Sequence, residues 1–289
     1  MAQASKLAVL GLGTMGRAMA GSALRAGIPV VAWNRDPVAG DGLADAGIEI
    51  AKSVPGAVAD ADVVITMVTN ADAVMSIATG QGLLANMRPG SVWAQMSTIG
   101  IDGTDRVAAT AKAERADIHF VDAPVAGSKV PAEQGNLVIF ASGPGEARPL
   151  LAQVFEAIGR RTIWLGPAGE GSRMKLVNNT MLAFTAEAVA SSFALAHLLG
   201  LETSAVVDAF DGNPLVSPWE TAKIPRIDKG DFSAEFALEL ALKDVLLALS
   251  ETGQHRFKAL GALASEWSDI VDRGFGGEDV TVVAKALAE

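Results

Sequence analysis

Lys6-Leu7-Ala8-Val9-Leu10-Gly11-Leu12-Gly13-Thr14-Met15-Gly16 decides how the rest of this chain is read. Residues 6–10 are an apolar run of strand length, and a glycine loop follows at once. Residues 17–26 carry a helical rhythm, and Pro29-Val30-Val31-Ala32-Trp33 reads as a second strand. This is the order in which G-x-G-x-x-G binds a dinucleotide. Gly11 allows the tight turn, Gly13 lets the backbone approach a pyrophosphate, and Gly16 lets helix and strand pack closely. Leu12, Thr14 and Met15 complete the candidate cofactor loop, where free N–H groups of the helix start face the phosphates.

The end of the second strand selects the cofactor. An acidic residue there would hold the ribose 2′-OH of NAD, but the chain has Asn34-Arg35. Asn34 can hydrogen-bond the ribose without repelling a phosphate, and Arg35 offers a planar fork to a 2′-phosphate. NADP(H) is therefore the expected cofactor; an exposed surface arginine is the alternative for Arg35. Asp36 is expected to cap the turn before Pro37.

The α/β pattern continues through strands at 47–50, 61–68 and 91–96, and through 118–128, a further strand running into a glycine turn. Strands at 137–143 and 161–166 are expected to complete the same sheet. Ligands lie at the strand ends of a parallel sheet, so Val68, Thr69, Asn70 and Thr98 are expected to line the cofactor groove. After Pro167 the strand patterns stop. The expected architecture is an N-terminal Rossmann-type doubly wound α/β sheet over 1–167, followed by an all-helical domain over 168–289. In that second part a proline-rich loop is expected from 211 to 231 and a helix over 236–250, with Gly253 as its stop.

The second domain opens with a long helix from Gly169 to Gly200. At about 1.5 Å per residue it would span roughly 45 Å. Lys175 and Asn179 are four apart and so share one face. A lysine near a helix N-terminus meets the positive end of the dipole, which tends to lower its pKa and suits a proton donor. The alternative is a lysine snorkelling from the edge of a buried helix. Lys243 has the same ambiguity, because Glu239 four residues earlier could pair with it on an exposed face.

Composition narrows the function. Over 289 residues the formal charge is -10, which argues against a nucleic-acid surface. There is no cysteine, and the three histidines lack ligand-like spacing, so disulfides, thiolate chemistry and a metal site are not expected. With the first strand starting so near Met1 no leader is expected, and the alanine, serine, threonine and asparagine content of residues 174–199 fits a buried helix better than a membrane span; a cytoplasmic location is the expectation. The apolar residues wrap far enough around the long helix to suggest a homodimer or higher homo-oligomer.

Together the glycine loop, Asp122-Ala123-Pro124-Val125-x-Gly127, Gly169-x-Gly171-x-x-x-Lys175-x-x-Asn178-Asn179 and Lys243-Asp244 give the chain a family likeness. It resembles the β-hydroxyacid dehydrogenases over essentially its whole length. Trp33-Asn34-Arg35 and residues 127–133 look most like the NADPH-dependent glyoxylate/succinic semialdehyde reductases. The resemblance implies an NADPH-dependent reductase of a small carbonyl compound, with Lys175 as catalytic acid and Asn179 orienting the carbonyl or the lysine. It implies that Gly127, with Ala126 and Ser128, binds the substrate, and that Phe236, Lys243 and Asp244 close the site from the helical domain, with Lys243 also reaching the cofactor. Two departures stand out: Ala126 replaces the family's usual serine, and Gln95 its usual aspartate. The first leaves room for less polar carbonyls, or for imines on the same scaffold. A non-catalytic NADP-binding protein would be expected to lose Lys175.

Overall fold

The computed structural model describes residues 5–252 and 256–289, so the expected helix stop at Gly253 lies outside the described residues. The chain divides into two compact units, Met1–Lys175 and Leu176–Glu289.

In the first unit, β1 (Leu7–Leu10), β2 (Val30–Trp33), β3 (Glu49–Ile50), β4 (Val63–Thr66), β5 (Val92–Gln95) and β6 (His119–Asp122) form one parallel sheet in the order β3-β2-β1-β4-β5-β6. The central strands are buried on both faces, which explains their near-continuous apolar runs. Leu7 and Val9 pack on one side with the helices Thr14–Arg25 and Ala147–Ile158. Ala8 and Leu10 pack on the other with Val54–Val58 and Gly100–Glu114. Helices on both faces make the sheet doubly wound.

The last strands do not complete this sheet. β7 (Val125–Ala126), β8 (Leu137–Ala141) and β9 (Gly159–Trp164) form a second sheet, antiparallel between β7 and β8 and parallel between β8 and β9. The sheets meet at an isolated bridge between Asp122 and Ser142. Pro124, which has no N–H for a ladder, sits at the step from β6 to β7.

The helix Glu170–Leu198 begins in the first unit and continues into the second. By length and apolarity alone it could cross a membrane, a test that a buried core helix also passes. It ends at Gly200, whose φ of 74° is followed by a Leu201 N–H bond back to the Ala196 carbonyl. Among the described residues the other α-helices of the second unit are Thr203–Phe210, Pro218–Asp228, Leu238–Thr252, Lys258–Ile270 and Val283–Ala288. Most of the expected proline-rich loop is thus the helix Pro218–Asp228. Ser217 and Glu220 form a capping box there and Pro218 sits in the first turn; these start signals prevail over the breaker Pro225.

A buried charge cluster ties this unit together. Lys223, 3% exposed, donates to Asp279 at 3.0 and 3.1 Å and to Glu235 at 2.9 Å. Asp279 also accepts from the N–H groups of Glu235 (3.0 Å) and Phe236 (3.2 Å) and from the Thr281 hydroxyl (2.9 Å). Burial alone would raise the Asp279 carboxyl, but the Lys223 charge and these donors outweigh it and hold the group below its usual range. Its stabilising contribution is present above the unfolded value of about 3.9 and is lost as pH falls through the lower folded value. Lys223→Met strands the Asp279 charge and should cost about 3–5 kcal/mol in urea unfolding at neutral pH. The gap from wild type should narrow on acidification, as the unpaired carboxyl takes up a proton. A neutral-pH loss under about 1 kcal/mol, the range of exposed pairs, would contradict this account.

Candidate active site

The loop after β1 distinguishes its three glycines. Gly11 has a φ of 103°, and a Cβ there would lie 2.2 Å from the Met67 carbonyl oxygen. A Cβ on Gly16 would lie 1.9 Å from the Gly11 oxygen, so the helix Thr14–Arg25 packs directly on the loop backbone. At Gly13, by contrast, no described atom lies within 4 Å of an added Cβ. Packing thus accounts for the first and third glycines and leaves open space over the second. Among the described residues no side chain caps this helix, so its first N–H groups remain for an anionic ligand. The arrangement fits a dinucleotide pyrophosphate.

The Leu12 N–H donates to Asn34 Oδ1 at 2.9 Å, and Asn34 Nδ2 donates to the Asp36 carbonyl at 2.9 Å. Asn34 therefore braces the loop against the end of β2. Asp36 accepts from Val38 N–H at 3.1 Å, capping the turn Pro37–Gly40 as its sequence suggests, and Arg35 is exposed beside it. At the end of β4 the Val68 N–H donates to Ser97 Oγ (2.8 Å), while Thr69 and Asn70 are exposed. Asn70 caps the helix Ala71–Met75 through the Ala73 N–H (2.9 Å), and Thr98 is half-buried after β5.

Ala126 ends β7, and Gly127 turns the chain with a φ of 126°. A side chain on Gly127 would meet Leu137 at 2.8 Å. Ser128 then precedes the short helix Lys129–Glu133.

The start of the long helix rests on a residue to which the sequence alone assigns no role. Asp122, at the end of β6, is fully buried and accepts from the Ser172 N–H (2.7 Å), the Ser172 hydroxyl (2.8 Å) and the Ser142 hydroxyl (3.1 Å). Burial pushes its carboxyl above the usual range, and the donors from Ser172, Ser142 and Gly169 pull back part of that rise. Thr104 lies 2.8 Å from the Ser172 hydroxyl, and the Gly171 N–H donates to Ser142 Oγ at 2.9 Å. The only hint in sequence was an aspartate ending a strand and a serine in a helix's first turn. Lys175 follows Ser172 by three residues, is 9% exposed, and ends the first unit.

In the second unit the structure brings Asn179, Asp244 and Lys243 together. Asp244, 4% exposed, accepts from Asn179 Nδ2 and from Lys243 Nζ, the latter at 2.7 Å. Asn178 Nδ2 donates to Asn179 Oδ1 at 3.0 Å, so the Asn179 carboxamide is held from both ends. Lys243, paired with Glu239 by spacing alone, here bonds its neighbour in the chain. Phe236 is half-buried, with its N–H on Asp279.

Comparison with known proteins agrees with this architecture. A family model described as the NAD-binding domain of 6-phosphogluconate dehydrogenase matches residues 6–166. Another, the NAD-binding region of NADP-dependent 3-hydroxyisobutyrate dehydrogenase, matches 169–287. The chain is 30% identical to glyoxylate/succinic semialdehyde reductase 1 of Arabidopsis thaliana, covering 96% of each. It is 33% identical to an NAD-dependent L-serine dehydrogenase of Pseudomonas aeruginosa, covering 97% of each. The Mycobacterium tuberculosis 3-hydroxyisobutyrate dehydrogenase structure with L-serine has a TM-score of 0.83 at 29% identity, covering 99% of this chain and 100% of that one.

The loop geometry separates ligand binding from stability. Gly13→Ala should leave unfolding free energy within about 0.5 kcal/mol of wild type. It should weaken dinucleotide binding by roughly tenfold, the equivalent of one lost hydrogen bond. Gly16→Ala should instead destabilise by about 1–3 kcal/mol or more through overpacking. Calorimetry and fluorescence titration of both variants check this, and equal destabilisation by the two would count against it.

Proposed function

The chain belongs to the β-hydroxyacid dehydrogenase family, nicotinamide-dependent enzymes acting at a CH–OH/C=O centre, and on that footing we propose that it is an NADPH-dependent reductase of small aldehyde acids with Lys175 as proton donor. The observation that carries this reading is Lys175 itself, a nearly buried cation in the first turns of a helix whose start is tied to Asp122. When bound, the nicotinamide supplies a hydride to the carbonyl carbon. Negative charge then develops on the carbonyl oxygen; the Lys175 ammonium stabilises it and transfers a proton to it, giving the alcohol. Asn179, held by Asp244 and Asn178, orients the carbonyl or the lysine.

For the cofactor, Gly11 to Gly16 would hold the pyrophosphate and Arg35 a 2′-phosphate. Asp36 is turned to the Val38 N–H, which supports the absence of an acidic ribose ligand at the end of β2. Val68, Thr69, Asn70, Thr98 and Lys243 complete the proposed cofactor set. For the substrate, the turn at Ala126, Gly127 and Ser128 would offer backbone N–H groups to a carboxylate; Phe236 and Asp244 enter the proposed substrate set on the family resemblance alone. The missing hydroxyl at Ala126 favours a site that also accepts uncharged carbonyl compounds, because an apolar position discriminates weakly. Val177, Met181, Leu195 and Leu198 are exposed on the long helix, which supports association with a second copy in the same reading.

The cofactor assignment is tested by kcat/KM with NADPH and NADH. Arg35→Ala should reduce the preference for NADPH by about 1.5–3 kcal/mol, the strength of a charged hydrogen bond. Equal wild-type efficiencies with the two cofactors would defeat it. The acid is tested by Lys175→Ala on succinic semialdehyde, glyoxylate and an uncharged aldehyde. Its kcat should fall by about 10²–10⁴-fold while NADPH binding is kept. Retention of more than about a tenth of kcat would assign the proton to another group.

A further inference from the structure

The mechanism above makes no use of the fully buried carboxylate Asp122, yet the structure concentrates polar contacts on it. β6 supplies Asp122, β8 leads into Ser142, and the helix Gly100–Glu114 supplies Thr104. All three meet the long helix within its first turn. The Ser172 N–H and hydroxyl bond the two carboxylate oxygens at 2.7 and 2.8 Å, and the Gly171 N–H bonds Ser142 Oγ at 2.9 Å. A Cβ on Gly171 would lie 2.3 Å from the Phe140 carbonyl oxygen and 2.9 Å from that of Asp122. The helix start is therefore pressed onto the backbone of both sheets, and the side-chain bonds fix its rotation as well as its height.

Ser172 and Lys175 are three residues apart and thus neighbours on one helix face. A rotation or slide of the first turn carries the Lys175 ammonium with it. We propose that Asp122 is a positioning residue for Lys175: held among Ser142, Ser172 and Thr104, it sets the register of the helix that presents the ammonium to the reacting oxygen. This inference rests on the reading of Lys175 as the acid.

The hydrogen-bond chain also says which substitution is tolerated. The Thr104 hydroxyl donates to the Gly100 carbonyl at 2.7 Å, so its oxygen can accept from Ser172. An asparagine at 122 can accept the Ser172 N–H with Oδ1 and donate from Nδ2 to the Ser172 hydroxyl, which then turns its proton to Thr104. Geometry survives in Asp122→Asn and is lost in Asp122→Ala.

The test is a double-mutant cycle on kcat with NADPH and succinic semialdehyde. Asp122→Ala should lower kcat about tenfold to a hundredfold, as expected for a displaced catalytic group. NADPH KM should stay within about twofold, since the cofactor loop is untouched. Asp122→Asn should recover most of the lost kcat. In the Lys175→Ala background, Asp122→Ala should change the residual rate by less than about twofold, because two residues acting as one unit are not additive. Should Asp122→Ala fold poorly, Ser172→Ala removes one hydroxyl, keeps the N–H bond, and runs the same cycle at smaller amplitude. An equal loss of kcat in both backgrounds, or no loss in either, overturns the positioning role. Full activity of Lys175→Ala alone overturns the assignment of the acid, and with it this inference.

Discussion

A helix that begins inside a protein must find acceptors for its first N–H groups, and this chain meets that requirement in two opposite ways. The helix Thr14–Arg25 starts at Gly13 without a side-chain cap, under open space. Its uncapped donors can be satisfied by an anionic ligand, while the packing of Gly11 and Gly16 holds the loop itself. The helix Glu170–Leu198 starts on Asp122 and Ser142, with its donors satisfied by the protein. One start is left available for an anionic ligand; the other is closed by the protein's own acceptors. Exchanging the two solutions would close the first loop to ligands and loosen the start of the long helix together.

The second unit follows a related logic with charges. Asp279 and Asp244 are both nearly inaccessible carboxylates beside a lysine. Lys223 is as buried as its partner, and the pair is saturated by backbone N–H groups of Glu235 and Phe236. Lys243 is less buried, and the Asp244 carboxylate is shared with Asn179. A desolvated and fully bonded ion pair is costly to break and suits a structural tie. A cation that keeps solvent access can reach a ligand while its partner orients a neighbour. The first carboxylate fixes the segment that carries Phe236, and the second fixes the carboxamide of Asn179.

Much of this was legible because it is local. The glycine loop, the succession of strands up to β6 and the long helix all announce themselves within a dozen residues through period, apolarity and glycine placement. The features that were not legible depend on pairing across long separations. Asp122 meets Ser142 and Ser172 only after the chain has returned twice, so no spacing rule reveals it. The strands β8 and β9 have ordinary strand patterns, and nothing in them states which sheet they join. That is decided where the chain turns at Pro124 and β7 pairs antiparallel with β8. The segment 211–231 differs for another reason: its prolines suggest a loop, yet Pro218 sits where a helix tolerates it best.

Gln95 shows how a departure from a family pattern can be understood once the fold is known. Its side chain is fully buried; Nε2 donates to the Ser97 carbonyl at 2.9 Å, and Oε1 accepts from the Ser97 N–H at 2.7 Å. The amide thus serves both backbone groups of Ser97, as a neighbouring strand would. A carboxylate could accept the N–H but not donate to the carbonyl, and would bring a buried charge needing a partner. Ser97 in turn receives the Val68 N–H, so the ends of β4 and β5 are joined through a neutral network. Here glutamine closes, without a charge, the edge from which Val68 and Thr98 extend.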